Sequence, residues 1–176
     1  RNAADVMEYV AETLRRSPDM PLSEALIREL HIRTTQGIAY AHNTPGHYRE
    51  HAVHAGDYVP PRSGDEVRRL MQEFIRWFNS GEPLSWSPLI RAIAAHFYFI
   101  SIHPFGDGNG RTARAIESYL LYQAKINAVG FYSLSNFYYR NKPDYIEMLD
   151  FVRFKSGGDL TPFVKFAVFG LVDELE

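Results

Sequence analysis

Apolar residues recur every three or four positions along most of this chain, and the breaks in that rhythm divide it into segments. Ala3, Val6, Met7, Val10 and Leu14 share one face of a predicted first helix over 3–16, which ends before Pro18 and Pro21. Leu26, Ile27, Leu30 and Ile38 mark a second over about 22–41, with Ser23 as its cap. From 42 to 61 the helical period vanishes, and Pro45, Gly46, Gly56 and Pro60 punctuate two short runs, 48–53 and 57–59, that suit a small hairpin or ordered loop. Ser63-Gly-Asp-Glu66 is a capping box ahead of Val67, Leu70, Met71, Phe74, Ile75 and Phe78, so a third helix starts there and stops at Asn79-Ser80-Gly81. Ser87-Pro88 opens a fourth through Ile90, Ile93, Ala94, Phe97 and Ile100. Only Arg91 and His96 interrupt its apolar circumference, which predicts a largely buried helix running straight into His103.

The second half continues the pattern. A fifth helix over about 111–124 carries Ala113, Ile116, Leu120 and Leu121, with Glu117 as its only acid. Residues 127–141 read as a loop with a short helical turn. Tyr145, Met148, Leu149 and Val152 face inward from a helix over about 143–154, which Gly157-Gly158-Asp159 breaks. Thr161-Pro162 caps a last helix through Phe163, Phe166, Val168, Phe169, Leu171 and Leu175. The expectation is one all-α domain over 1–176, a bundle of about seven to eight helices with one β-like excursion.

Composition narrows the functional classes. The 176 residues are 45% hydrophobic and 14% aromatic, enough for a core of their own. The 19 basic and 21 acidic side chains nearly cancel, so no overall field favours nucleic acid or an anionic membrane. Without cysteine there is neither a disulfide framework nor a thiolate metal site, and no apolar run is long enough to span a bilayer, so a soluble, cytoplasmic domain is expected. The chain opens Arg1-Asn2-Ala3 without a methionine or signal peptide and reads as a piece of a longer protein. His42, His47, His51 and His54 cluster, but their spacing fits no zinc pattern and they are expected as surface histidines. His31 is expected to pack between helices.

One stretch does not reduce to scaffold: His103-Pro-Phe-Gly-Asp107-Gly-Asn109-Gly-Arg111-Thr-Ala-Arg114. Glycines at 106, 108 and 110 allow a tight turn, and the helix that follows aims free N–H groups and its positive end at the same spot, which makes an anion site. Arg111 and Arg114, three apart, add charge-assisted contacts suited to two or three phosphates. Asp107 among these cations fits a ligand to Mg²⁺ on a polyphosphate, and His103 fits a general base for an attacking hydroxyl. Singly, each residue has an ordinary structural explanation, as a cap, a solvated arginine or a histidine before a proline. Together in one loop they do not.

This stretch resembles the H-P-F-x-[DE]-G-N-G-R-x-x-R signature of Fic-domain proteins at every fixed position. Ala94-Ala-His-Phe-Tyr-Phe99 resembles the family's lead-in helix, Gly46-His-Tyr-Arg49 with Tyr58-Val-Pro-Pro61 its flap, and Tyr145–Leu149 with Gly158-Asp-Leu-Thr-Pro-Phe163 its C-terminal helices, so the likeness covers roughly 5–170. The resemblance implies a Fic-type helical bundle with a small β-hairpin flap. It implies His103 as base, Asp107 as Mg²⁺ ligand, and a nucleotide set of Phe105, Gly106, Asp107, Gly108, Asn109, Gly110, Arg111 and Arg114, with Gly108 to Gly110 as anion cradle, Arg111 on the β-phosphate and Arg114 on the γ-phosphate. Tyr145 and Leu149 would line the nucleoside pocket, and the flap residues His54, Asp57, Tyr58, Val59 and Pro60 would align a target segment by backbone pairing.

The implied reaction is transfer of AMP from Mg-ATP to a Ser, Thr or Tyr hydroxyl of a target protein, with pyrophosphate released. The family's phosphorylating branch carries lysine where this chain has Gly110, so adenylylation is favoured. Transfer from UTP, GTP or a choline-bearing nucleotide, removal of AMP, and a nucleotide-binding module without turnover remain as alternatives. The family's inhibitory [ST]-x-x-x-E helix is absent from these residues. It is expected upstream of Arg1; the alternatives are that a separate antitoxin protein supplies it or that this member of the family lacks it.

Overall fold

The computed structural model describes residues 2–126 and 133–175. Among them the chain forms eight α-helices: α1 (Asn2–Arg16), α2 (Glu24–Thr35), α3 (Gly64–Phe78), α4 (Pro88–Ile102), α5 (Asn109–Gln123), α6 (Ser133–Arg140), α7 (Lys142–Phe154) and α8 (Thr161–Leu175). A short 3₁₀ turn, Glu82–Ser85, precedes α4.

The predicted serine caps are in place, whereas Thr161 is the first residue of α8 and not its cap. The Ser23 hydroxyl accepts from Leu26 N–H at 3.1 Å, Ser63 from Glu66 N–H at 3.2 Å and Ser87 from Ile90 N–H at 3.3 Å. The capping box closes one residue early, because Glu66 reaches back to the N–H of Arg62 at 3.3 Å. As its sequence implies, α4 is the centre of the bundle: Ala92 to Phe97, Phe99, Ile100 and Ile102 are all buried. It packs along α5 more extensively than any other pair of helices, so the connection between them is held from both sides.

Four expectations change. α2 ends at Thr35 rather than near 41, because the chain turns at Gly37 with φ 75, and Ile38 lies outside the helix and exposed. Residues 42–61 form no strand: the hairpin reduces to one antiparallel β-bridge, Ala55 to Tyr58, too short to nucleate a sheet. Within the stretch read as a loop with a short helical turn, the helix is longer than expected, 133–140, stabilised as α6 because Leu134, Phe137 and Tyr138 bury against α8 and the core. The rest of that stretch, 127–132, lies outside the described residues. Ile90 and Phe169 are exposed, the latter because α8 turns Phe163, Ala167 and Leu171 inward at i, i+4 and i+8. No described helix is long and apolar enough to cross a membrane.

Candidate active site

His103 ends α4 in the left-handed region, φ 54 and ψ 58. A histidine is strained there, where a helix end ordinarily places glycine. The conformation persists because both sides of the residue are tied: its N–H donates to Phe99 O at 2.9 Å, and its carbonyl accepts from Arg49 Nε at 2.7 Å. Arg49 is nearly fully buried and clamps the whole exit from α4. Its guanidinium also donates to Ile102 O at 3.3 Å and His51 O at 2.9 Å, while its backbone N–H donates to Pro104 O at 2.9 Å. A buried cation here satisfies the carbonyls that a helix C-terminus leaves without partners.

The His103 ring donates its Nδ1 hydrogen to Ile100 O at 3.2 Å, which leaves the Nε2 lone pair open. Burial is the main cause that lowers its pKa to about 4, and the Arg49 and Arg153 charges push it the same way. The imidazole is therefore neutral at pH 7, as a proton acceptor must be.

The loop after it is braced from behind. His31, expected as a residue between helices, instead stacks on Phe105 with ring centroids 3.6 Å apart and 2° between planes. Its Nδ1 accepts from Gly46 N–H and its Nε2 donates to Asp107 O, both at 2.9 Å. The Asn43 side-chain oxygen accepts from Asp107 N–H at 3.1 Å. Asn109 closes the turn on itself: its side chain exchanges two 2.9 Å hydrogen bonds with the backbone N–H and carbonyl of Phe105. That side chain is buried, so within the predicted cradle only the backbone of Asn109 faces outward chemistry.

Two glycines are obligatory for this path. A Cβ at Gly106 would sit 2.1 Å from His42 O, and Gly108 has φ 77 with Thr35 Cγ2 only 2.5 Å from a built Cβ. Gly110 is different, since a Cβ there meets nothing closer than Arg114 Nη1 at 3.4 Å. The packing around it does not demand glycine at 110.

The first hydrogen bond of the α5 ladder runs from Thr112 N–H to Gly108 O at 3.0 Å. The N–H groups of Asn109, Gly110 and Arg111 therefore precede the ladder and point out of the helix start. They open onto a cavity of about 370 Å³ lined by residues 106–111, Arg114, His103, Val53 and His54. A second cavity of about 290 Å³, between α1, α5 and α6, shares Arg111 and Arg114 with it. Arg111 is steered by the Tyr40 hydroxyl at 2.5 Å and lies 3.8 Å from Asp107. Burial lowers the pKa of Arg114, which the nearby Tyr145 and Glu117 partly offset.

Asp107 keeps one carboxylate oxygen on the N–H of Gly108, and its side chain is 45% exposed, so the other oxygen is available to a cation. No group of three or more His, Cys, Asp or Glu side chains suited to a metal occurs among the described residues, and the four histidines of 42–54 form none. A single carboxylate fits Mg²⁺, which keeps several waters and takes its other ligands from phosphates.

Of the remaining predicted residues, Tyr58 and Pro60 anchor the flap while His54, Asp57 and Val59 are exposed. The Tyr58 hydroxyl donates to Ser101 O at 2.7 Å, and the Arg153 guanidinium sits 3.8 Å above its ring. Leu149 is buried, and neither it nor Tyr145 lines the two cavities at the arginines. The Tyr145 hydroxyl pairs instead with His96 Nε2 at 2.7 Å, whose Nδ1 lies 3.3 Å from the buried carboxylate of Glu117. Tyr138 donates to the same carboxylate at 3.0 Å. His96 and Glu117, buried polar residues of α4 and α5, thus face each other behind Arg114, close but without a hydrogen bond at Nδ1.

A left-handed histidine, a glycine-locked loop and a bare helix start bearing two arginines meet at one cavity, and the sequence around them, residues 21–121, matches the Fic/DOC family. The chain belongs to the Fic/DOC family. It is 35% identical over 160 residues to "Protein adenylyltransferase Fic" of Drosophila yakuba and 33% identical to that of Drosophila melanogaster, each alignment covering 91% of this chain and 30% of the relative. This Fic chain thus spans about a third of the length of those relatives. Its fold superimposes on a Fic family protein from Desulfovibrio desulfuricans with a TM-score of 0.78 at 26% identity, over 99% of this chain and 50% of that one. Fic-1 of C. elegans shares the fold at a TM-score of 0.72 and 24% identity, over 99% and 48%.

Proposed function

We propose that this domain is a protein adenylyltransferase, moving AMP from Mg-ATP to a hydroxyl of a target protein. The observation that carries the reading is His103: a strained, neutral imidazole with Nε2 open, fixed beside a helix start that offers three N–H groups and two arginines. A module that only bound nucleotide would gain nothing from holding a base at a cost of about 1 kcal/mol or more of backbone strain.

In this reading His103 Nε2 takes the proton of the target hydroxyl, whose oxygen forms a bond to the α-phosphorus as the bond to the bridging α–β oxygen breaks. Pyrophosphate leaves, its charge met by Arg111, Arg114 and the α5 N–H groups, which are fixed before the reaction begins. Mg²⁺ held by Asp107 would supply neutralisation of phosphate charge. The open space over Gly110 is what an α-phosphate in this orientation requires. Tyr145, close enough to Arg114 to lie in its field, would close the nucleoside side of the site with Leu149 behind it. The exposed flap residues His54, Asp57 and Val59 would pair with the target segment.

The test is release of pyrophosphate from ATP in the presence of protein substrates, read as dependence on His103. His103→Ala is expected to remove it while ATP binding persists. Undiminished release by that variant would assign the base elsewhere.

A further inference from the structure

On the side of α4 away from the phosphate loop, an open groove of about 910 Å³ runs between α3, the 3₁₀ turn, α4 and the start of α8. Phe74 and Trp77 of α3, Trp86 after the 3₁₀ turn, Tyr98 and Ile102 of α4 and Val164 of α8 form its walls. The rings are set rigidly against one another: Trp77 packs edge-to-face on Trp86 at 5.6 Å and on Tyr98 at 4.9 Å. Ile90 lines the groove and is itself exposed, and Leu84, within the 3₁₀ turn that carries Glu82, is 57% exposed.

The charged side chains that line this apolar floor have one sign, with Arg69 beside Glu73 and Lys165 near Asp159 at its margin. Glu73, Glu82 and Asp159 line the groove, and no lysine, arginine or histidine does. Glu73 is shared with Arg69 at 2.8 Å, but neither Glu82 nor Asp159 forms an ion pair among the described residues. The protein as a whole carries a net charge of only -2, so the concentration of acids here is local. An apolar groove rimmed by carboxylates repels an anionic lipid surface and an acidic peptide, and favours an apolar segment bearing cations.

The groove also leads somewhere. It ends at Ile102, the residue before His103. A segment lying along it would bring the chain attached to it to the catalytic end of α4. On the adenylyltransferase reading, we propose that this groove docks a segment of the target protein in which apolar side chains alternate with lysine or arginine, holding the target beside the site independently of the nucleotide. Aromatic side chains in a rigid wall are the residues that carry most affinity in such contacts.

Trp77 and Trp86 are the protein's only two tryptophans and both line the groove, so tryptophan emission, excited beyond the absorption of the tyrosines, reports on it. The probe is a tryptophan-free peptide of leucine and lysine, compared with a copy carrying glutamate for lysine and a copy carrying serine for leucine. The leucine–lysine peptide is expected to change the emission saturably. Glu82→Lys should weaken that binding about tenfold or more, as should salt, while ATP affinity and the thermal melt stay as in the parent. Equal binding of the glutamate peptide, or binding untouched by Glu82→Lys, overturns the proposal. So does a larger response to phosphatidylserine vesicles, or self-association that occludes the tryptophans before peptide is added. Fusing the leucine–lysine segment to a serine-bearing reporter should lower its KM for AMP transfer without changing kcat; an unchanged KM removes the recruiting role. Binding with no transfer to any reporter would instead count against the adenylyltransferase reading and leave the docking site standing.

Discussion

Acidification should loosen the loop after His103 through His31, a residue outside the lining of the cavity there. Its Nδ1 accepts from Gly46 N–H at 2.9 Å, so a proton added there would face another donor. Burial holds its pKa at about 4 against an ordinary 6.5. The folded-state pKa lies below the unfolded one, so the unfolded chain binds the proton first. The stabilising contribution is complete above pH 6.5 and is lost as pH falls from 6.5 towards 4. At ~1.4 kcal/mol per pKa unit, that loss is about 3 kcal/mol. Carboxylates titrate over part of the same range, so the comparison must be with a variant that keeps the bonds but not the titration. His31→Gln offers an oxygen to Gly46 N–H and an amide to Asp107 O, and sacrifices the stack on Phe105. At neutral pH it should be less stable than the parent by roughly 1–2 kcal/mol, from the lost ring contact. Urea unfolding followed by tryptophan emission, from pH 7.5 to 4, should show that gap shrink by about 3 kcal/mol and the order of stability reverse. Parallel curves for the two proteins would refute the claim that His31 is held neutral by its surroundings.

Three further outcomes follow from the same geometry. Arg49→Met should cost about 2–4 kcal/mol, read as a drop in urea midpoint, because it strips the buried Ile102 carbonyl and the part-buried His103 and His51 carbonyls of their donor and releases the exit of α4. Gly106→Ala should destabilise the fold by more than about 2 kcal/mol through its backbone clash with His42, whereas Gly110→Ala should leave the melting temperature unchanged or slightly raised and weaken nucleotide affinity, measured by calorimetry. For the nucleotide-free protein, kcat/KM should stay level in its acid limb down to well below pH 6 and fall as His103 gains a proton near pH 4; a limb at pH 6.5 would mean that burial does not shift this group.

How much of this could be read before the fold was known depends on how far apart the partners lie in sequence. The helices and their serine caps follow from contacts three or four residues apart, and Ser23, Ser63 and Ser87 all cap as expected. The chemistry of 103–114 was legible for the same reason, since one loop carries it. Arg49, His31 and Asn43 were not, because each acts across more than fifty residues on a loop whose own pattern gives no sign of them. His96 and Glu117 were visible only as polar interruptions on two apolar helices. That each interruption needs a partner is a principle, but that they serve each other depends on how α4 packs on α5. The flap misled because turn residues mark a reversal without saying whether enough ladder bonds follow to make strands. Here the ladder stops at the one Ala55–Tyr58 bridge, and the segment is held by the Tyr58 hydroxyl on Ser101 of α4.

The most direct test of the account is which phosphorus of ATP stays on the protein. With a lysate as source of targets, ATP labelled at the α-phosphate should leave label on protein, ATP labelled at the γ-phosphate should leave none, and His103→Ala should abolish the α-label. Label transferred from the γ-phosphate, or α-label undiminished in the His103→Ala variant, would contradict it.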